Sequence, residues 1–488
     1  MTFHPDLDAL FSRIYEQNDL DGLDRPLAVD PLRQPARGAR PNSVAIGGGA
    51  FGDEGKGRIV DVLCSRFAAA GQTPILVYRW NGGANAGHTV VVGRQKIALH
   101  QLPSGALHPG AVGLLGKGMV IHPADLVAEL ESLRDHPPQI KIDEMAVLAL
   151  DTHRAYEVAL KTTEQGGQGA TGRGISPAYA DVLYRHAMRM RDLASEDWEV
   201  RLGHHYDLYA ALLGGLDHEL ATVNVPALHR APLPVGARAE FLARLAPYRA
   251  QLLPYIDAYG GDDALDVAAW WRGDAPVIFE GAQAVGLDSR FGVYPDITAS
   301  DPTFGGITGS TEGIVLPHEI AVRAAVIKAT YTSSVGTRRL PTMMEAGLAG
   351  RIRDDAHEYG ATTRRPRDIA HIDLPCLRFF MRVGGASHLI LTHLDIAYPE
   401  LPIKVCTHYL DKQGRRVGYR PDQSYLDGVT PIYRELPSWA GSAVAGVKRL
   451  DGLPKAAMQY IAFLCGALAV QPLMVTTGAE RDALITWF

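Results

Sequence analysis

The apolar positions of this chain come in short runs broken by glycine-rich turns. The run at 44–46 is followed by six glycines between Gly47 and Gly57, then by Ile59, Val60 and Leu63 at helical spacing. Strand, glycine-rich loop and helix in that order aim backbone N–H groups and a helix N-terminus at an anion. Further apolar runs at 75–80, 277–280, 324–331, 389–395 and 472–477 read as strands, several ending in a glycine turn. An apolar stripe at 123–133 predicts a helix, 194–270 reads as largely helical, and a basic helix carrying Arg185, Arg189 and Arg191 is expected after 177. Strands alternating with helices predict an α/β fold. Residues 1–42 stand apart as an N-terminal arm. In it Leu7, Leu10, Phe11, Ile14 and Tyr15 suit one amphipathic helix, and a Pro/Arg-rich linker follows. The catalytic body is expected over 43–488.

Composition adds exclusions. With 488 residues, 47% hydrophobic, the chain can bury a large core. A net charge of −6 argues against a general nucleic-acid binder. No stretch approaches the ~20 apolar residues of a membrane span, and the first residues lack a basic region followed by an apolar one, so no secretory signal is expected. Four scattered cysteines without a Cys-x-x-Cys spacing suggest neither disulfide framework nor zinc site, which fits the cytoplasm.

Candidate chemistry lies in the loops. In the first, Lys56 adds a cation for phosphate, but Asp53 and Glu54 would repel one, so a metal or a proton must be handled there. The loop is not a Walker A motif, because Ala50 stands where glycine is required and Gly57 follows Lys56. A second Gly/Asn loop, 81–88, ends at His88. A third, 164–177, carries Thr171 and Arg173 and suits another anion, or is a solvated surface loop. Gln283 can read a ring edge, and Thr298 and Ser300 offer hydroxyls. Gly360-Ala-Thr-Thr-Arg-Arg-Pro-Arg clusters hydroxyls with guanidinium groups that suit carboxylate or phosphate capture. Asp395, at the end of an apolar run, can accept two donors from a guanine edge or cap a helix. Several separate anion loops in one α/β chain suggest ligase or kinase logic with two phosphorylated ligands.

The motifs Gly-Asp-Glu-Gly-Lys-Gly from Gly52, Asn-Ala-Gly-His-Thr from Asn85, Leu-Pro-Ser-Gly from Leu102, Thr-Gly-Arg-Gly-Ile-Ser-Pro from Thr171, Phe-Glu-Gly-Ala-Gln from Phe279 and Gly-Ala-Thr-Thr from Gly360 stand in the order found in adenylosuccinate synthetases. From about residue 42 onward the chain resembles that family. The resemblance implies a large central, mostly parallel sheet flanked by helices, in a P-loop-like GTP-binding ligase fold. It implies GTP-dependent joining of IMP to L-aspartate through a 6-phosphoryl intermediate, with one Mg²⁺, in a cytoplasmic homodimer. Asp53, His88 and Lys56 would be catalytic, Asp53 as base and, with the Gly87 carbonyl, as magnesium ligand. Gly52, Glu54, Gly55, Gly57, Arg58, Thr89, Asp395, Thr476 and Gly478 would bind GTP. Asn85, Thr171, Arg185, Gln283, Thr298, Val335 and Arg365 would bind IMP, Arg185 by reaching the neighbouring subunit's site. Thr362, Thr363 and Arg367 would take aspartate.

The chain departs from the family pattern at several of these places. Phe51 replaces a tryptophan, Ala50 a glutamine, Ala170 one of two threonines, and His393 the lysine of the guanine motif. Pro366 and Asp368 interrupt the usual arginine run, and Ala479 replaces a proline. Two further readings follow: a paralogue acting on another purine nucleotide such as dGMP, or on another amine donor, and a catalytically silent nucleotide-binding protein.

Overall fold

The computed structural model describes residues 38–92, 95–164, 166, 169–228, 230–258, 264–334, 336–360 and 366–487, and within 88–96 and at 230 the backbone alone. The expected helix near residue 10 and the expectations at Val335, Thr362, Thr363 and Arg365 lie outside these residues, as do the His88 and Thr89 side chains.

Ten strands form one sheet: β1 (Arg40–Gly48), β2 (Ile75–Arg79), β3 (Ala111–Leu115), β4 (Gln139–Asp143), β5 (Ile256–Asp257), β6 (Val277–Glu280), β7 (Ile320–Lys328), β8 (His388–Thr392), β9 (Gln471–Thr476) and β10 (Leu484–Thr486). Their spatial order is β5-β4-β3-β2-β6-β1-β7-β8-β9-β10. All neighbours run parallel except β10, which returns antiparallel to β9. β1 sits in the middle, with Ala45 opposite Phe279 on one side and Arg323 on the other.

A parallel sheet must be covered on both faces, so its central strands are apolar at every position rather than every second one. Val44 and Ile46 face Ile59, Val60 and Leu63 of α1 (Lys56–Ala69). Ala45, between them, packs in the opposite cluster with Tyr78, Phe279 and Phe380, the last from α3 (Leu374–Gly384). This is why the run at 44–46 shows no alternation.

β1 begins at Arg40, ahead of the expected boundary at 43. The Arg40 guanidinium donates to the carbonyls of Trp270, Trp271 and Gly273 at 2.9–3.1 Å. The arginine-bearing helix expected after 177 is not one helix. α2 (Ile175–Tyr184) stops where Arg185 turns left-handed at φ 69°, and only Arg191 is helical again, in a separate short turn. The stretch 194–270 holds helices Trp198–Gly214, Arg238–Leu252 and Val267–Arg272, interrupted by the hairpin Asn224–Ala227/Arg230–Pro234 and by β5. All four cysteines are buried free thiols. Among the described residues no helix is long and apolar enough to cross a membrane.

Candidate active site

The chain leaves β1 through Gly47, Gly48 and Gly49, which are small because of what surrounds them. A Cβ on Gly48 would lie 2.4 Å from the Gln283 carbonyl oxygen and 2.8 Å from Glu54 Oε2; one on Gly49 would lie 2.8 Å from the Ile327 side chain and 2.9 Å from Met381. These glycines let β1 end against the loop after β6 and against α3. The turn itself is made by Gly52 at φ 98°, Asp53 at φ 61° and Gly55 at φ 89°, a left-handed sequence that glycine and aspartate tolerate best.

That turn sends two consecutive carboxylates in opposite directions. Glu54 is 2% exposed; its Oε1 accepts the Gly52 N–H at 2.7 Å and the Ala50 N–H at 3.3 Å, and its Oε2 accepts Lys56 Nζ at 2.8 Å. Its backbone carbonyl accepts the Thr392 hydroxyl at 3.0 Å, tying the loop to the end of β8. The Asp53 side chain, by contrast, is 44% exposed and pairs with the Arg367 guanidinium. Arg367 also donates to Glu358 Oε2 at 2.6 Å, and burial lowers its pKa to about 10, so it stays cationic at neutral pH.

Buried polar atoms with no partner among the described residues include Asn85 Oδ1, Gln283 Nε2 and Asp296 Oδ1. The rest of the Gln283 and Asp296 side chains is held. Gln283 Oε1 accepts the Ser300 hydroxyl at 2.9 Å, and that hydroxyl is 3.2 Å from the Thr298 hydroxyl. Asp296 Oδ2 accepts the Thr337 N–H and hydroxyl at 2.8 and 2.9 Å. A Cβ on Gly169 or Gly336 would lie 2.9 or 2.5 Å from Asp296 Oδ1, so three loops converge on it. Arg338 Nη1 donates to the Ser334 hydroxyl at 2.8 Å, and its guanidinium sits 5.0 Å from the Phe51 ring centroid. Buried donors and acceptors left open while their neighbours are satisfied point to a polar ligand.

At the far end of the loop, Arg58 donates to the carbonyls of Gly478 at 2.6 Å and Ala483 at 3.3 Å. The Thr476 hydroxyl accepts the His393 N–H at 3.0 Å. Asp395 lies in the turn after β8, its pKa raised by burial against the opposing pull of Arg58.

The adenylosuccinate synthetase family profile matches residues 45–485. The chain belongs to the adenylosuccinate synthetase family. It is similar to the adenylosuccinate synthetases of Halothermothrix orenii (34% identical over 451 residues, 91% of this chain and 98% of the relative), Thermus thermophilus (35% over 441 residues, 90% and 97%) and Lactiplantibacillus plantarum (36% over 448 residues, 90% and 97%). Among solved structures it resembles the fully ligated adenylosuccinate synthetase of Plasmodium falciparum, with TM-score 0.78 and 28% identity over 91% of this chain and 99% of that one. The fold is shared with a cyanophage S-2L succinoaminodeoxyadenylate synthetase, with TM-score 0.52 and 17% identity over 91% and 94%. The chain is therefore an enzyme of a family of GTP-dependent ligases in purine biosynthesis.

The sequence expectations that fall on described residues map unevenly onto this site. Asp53 lies in the turn after β1 and pairs with Arg367, Lys56 is buried against Glu54, Asn85 follows β2, and Gln283, after β6, is joined to Thr298 through the Ser300 hydroxyl. His88 begins a strand that pairs with Gln95–Leu99. Glu54 and Arg58 bond within the protein, the first closing the loop and the second clamping 478–483. Arg173, read as an anion ligand, is buried and lies 3.5 Å from Asp125, a carboxylate it shares with Arg154 at 2.6 Å. Thr171 and Arg185 are exposed. Asp296, Arg338, Lys328, Tyr331 and Glu358 were not singled out in the sequence; only Asp296 had a local signal, in the Pro-Asp-Ile-Thr turn.

Proposed function

We propose that the protein joins IMP to L-aspartate with GTP as phosphoryl donor, giving adenylosuccinate, GDP and orthophosphate through 6-phosphoryl-IMP. The observation that carries this reading is the Asp53–Arg367 contact. It pairs the residue matched to the family's base with a residue matched to aspartate capture, at the crest of the loop that faces the triphosphate. Asp53 takes the N1 proton of IMP, which turns the 6-oxygen into a nucleophile. The oxygen–phosphorus bond forms as the γ-phosphoryl leaves GDP, with His88 donating to the transferring group. The amine of aspartate then attacks C6, the C6–O bond breaks, and phosphate departs.

Asn85, Thr171, Gln283, Thr298, Val335 and Arg365 hold IMP in this reading, and the open atoms on Asn85 and Gln283 support it. Thr362, Thr363 and Arg367 take aspartate, while Asp395, Thr476 and Gly478 meet guanine. Mg²⁺ suits the site, because a half-exposed carboxylate on Asp53 and the exposed Gly87, with open space beside it, offer hard oxygen donors. When bound, Mg²⁺ neutralises phosphate charge. A homodimer fits the exposed Arg185, which follows Leu183 (83% exposed) and Tyr184 (77%) at the end of α2. The buried free thiols suit the cytoplasm.

The test is to incubate the protein with GTP or ATP, Mg²⁺, L-aspartate and either IMP or dGMP, following phosphate release and product mass. Adenylosuccinate from IMP and GTP is the expected result; product from dGMP alone overturns this reading.

A further inference from the structure

Glu358 and Arg367 face each other across a neck formed by residues 358–360 and 366–367. The Arg367 N–H donates to the Glu358 carbonyl at 3.0 Å, and Tyr359 bridges to Pro366 just above. The side chains repeat the contact, Arg367 Nη1 to Glu358 Oε2 at 2.6 Å. The neck is therefore closed twice by the same two residues, once through backbone and once through side chains.

The other carboxylate oxygen of Glu358 is held from the sheet. It accepts Lys328 Nζ, from the end of β7, and the Tyr331 hydroxyl at 2.5 Å. Lys328 is anchored in turn on the Ser333 hydroxyl at 2.6 Å. Glu358, Lys328 and Tyr331 are all buried, at 1%, 3% and 0% exposure. Tyr331 has one proton and gives it to the carboxylate. Its oxygen must therefore accept from His393 Nδ1, 3.2 Å away, which fixes the imidazole as the Nδ1–H tautomer. The backbone N–H of His393 is already on Thr476. A continuous chain of hydrogen bonds thus runs from the ends of β8 and β9 through His393, Tyr331, Glu358 and Arg367 to Asp53.

We infer that Glu358 is a positioning residue for the amino-acid substrate: it sets the Arg367 guanidinium, and is itself locked by Lys328, Tyr331 and His393. The inference rests on the functional reading above. Arg367 spends one nitrogen on Asp53 and one on Glu358. An incoming substrate carboxylate competes for the nitrogen on Asp53 and frees the base, while the Glu358 bond keeps the guanidinium in place. Glu358 touches no substrate; it acts through Arg367.

The test compares steady-state kinetics of the full chain with its Glu358→Gln and Tyr331→Phe variants, varying L-aspartate, IMP and GTP in turn and recording Tm for each protein. Glu358→Gln sets an amide donor against donors and removes the countercharge of Arg367. The KM for L-aspartate is expected to rise about tenfold or more, with the KM values for IMP and GTP within about twofold of wild type. Tyr331→Phe deletes only one hydroxyl and should raise the same KM by about threefold, and it decides the matter if Glu358→Gln does not fold. Unchanged kinetics, or KM values for all three substrates rising together, overturn the inference. Absence of adenylosuccinate from the wild-type protein overturns the functional reading instead, so the two failures are distinguishable.

Discussion

Asp53 and Glu54 are adjacent carboxylates that the left-handed turn at Asp53 sends to opposite sides of one loop. Glu54 goes inward to two backbone N–H groups and Lys56, while Asp53 goes outward to Arg367. One acid shapes the loop, and the other reaches out of it to a guanidinium.

Asp53→Asn separates these roles. Asparagine tolerates the same left-handed backbone, so the loop and its grip on the triphosphate should persist. Turnover should fall by about a thousandfold or more, because the amide cannot take a proton. Phosphate release reads the first effect and calorimetric titration with GTP the second, with affinity expected within about tenfold of wild type. Intact turnover removes Asp53 from the mechanism.

Glu54→Ala should act on stability. It leaves the buried Lys56 ammonium without its partner and two loop N–H groups without their acceptor. Breaking one half of a buried pair costs about 3 kcal/mol. Urea unfolding of the variant should show a loss of that order; a loss below about 1 kcal/mol would mean that water reaches Lys56.

The order strand, loop, helix was legible because it is local: period, glycines and a helical apolar stripe lie within one stretch of chain. The alternation of strands and helices gave the α/β class, while the large, mostly parallel sheet was implied by the family resemblance. The resemblance gave Asp53 and Glu54 different roles, but nothing in two adjacent acids says which turns inward, and Glu54's inward bonds to the loop were not legible. The glycines at 48 and 49 read as phosphate-binding, yet they are set by Gln283, Ile327 and Met381 from distant segments. Lys328, Tyr331 and Glu358 carry no motif, and their meeting is a property of the folded chain alone. The arginines after 177 read as one helical face because the left-handed residue that ends α2 is Arg185, not the glycine that usually marks such a stop.

Glycine substitutions distinguish packing from chemistry in these loops. Gly48→Ala places a methyl 2.4 Å from a backbone oxygen, which cannot give way without moving the loop after β6. It should lower Tm and activity together. Gly87→Ala meets nothing within 4 Å, and its backbone carbonyl is kept. Its stability should stay within about 0.5 kcal/mol of wild type. Equal destabilisation by the two would contradict the packing seen around β1.

His393 supplies a pH dependence whose sign follows from burial. Desolvation first, then the charges of Lys328, Arg58 and Arg367, lower its pKa from 6.5 to about 3, so it is neutral in the folded protein at any physiological pH. A base with a lowered folded pKa contributes stability above its unfolded pKa and loses it as pH falls toward the folded value. Below about pH 6.5 the unfolded chain gains a proton at this position that the folded chain does not. From pH 7 to pH 5 this residue alone should cost about 2 kcal/mol of stability. Two other histidines, half-buried His371 and buried His388, shift in the same direction, with pKa values of about 4. The informative quantity is therefore the difference between wild type and His393→Asn, asparagine being able to hold the φ of 59° at this position. Urea unfolding at pH 7 and pH 5 should show a shallower loss for the variant by about 2 kcal/mol. Identical losses would mean that His393 takes its proton in the folded state, and the hydrogen bond from Nδ1 to Tyr331 would then survive as a charged one.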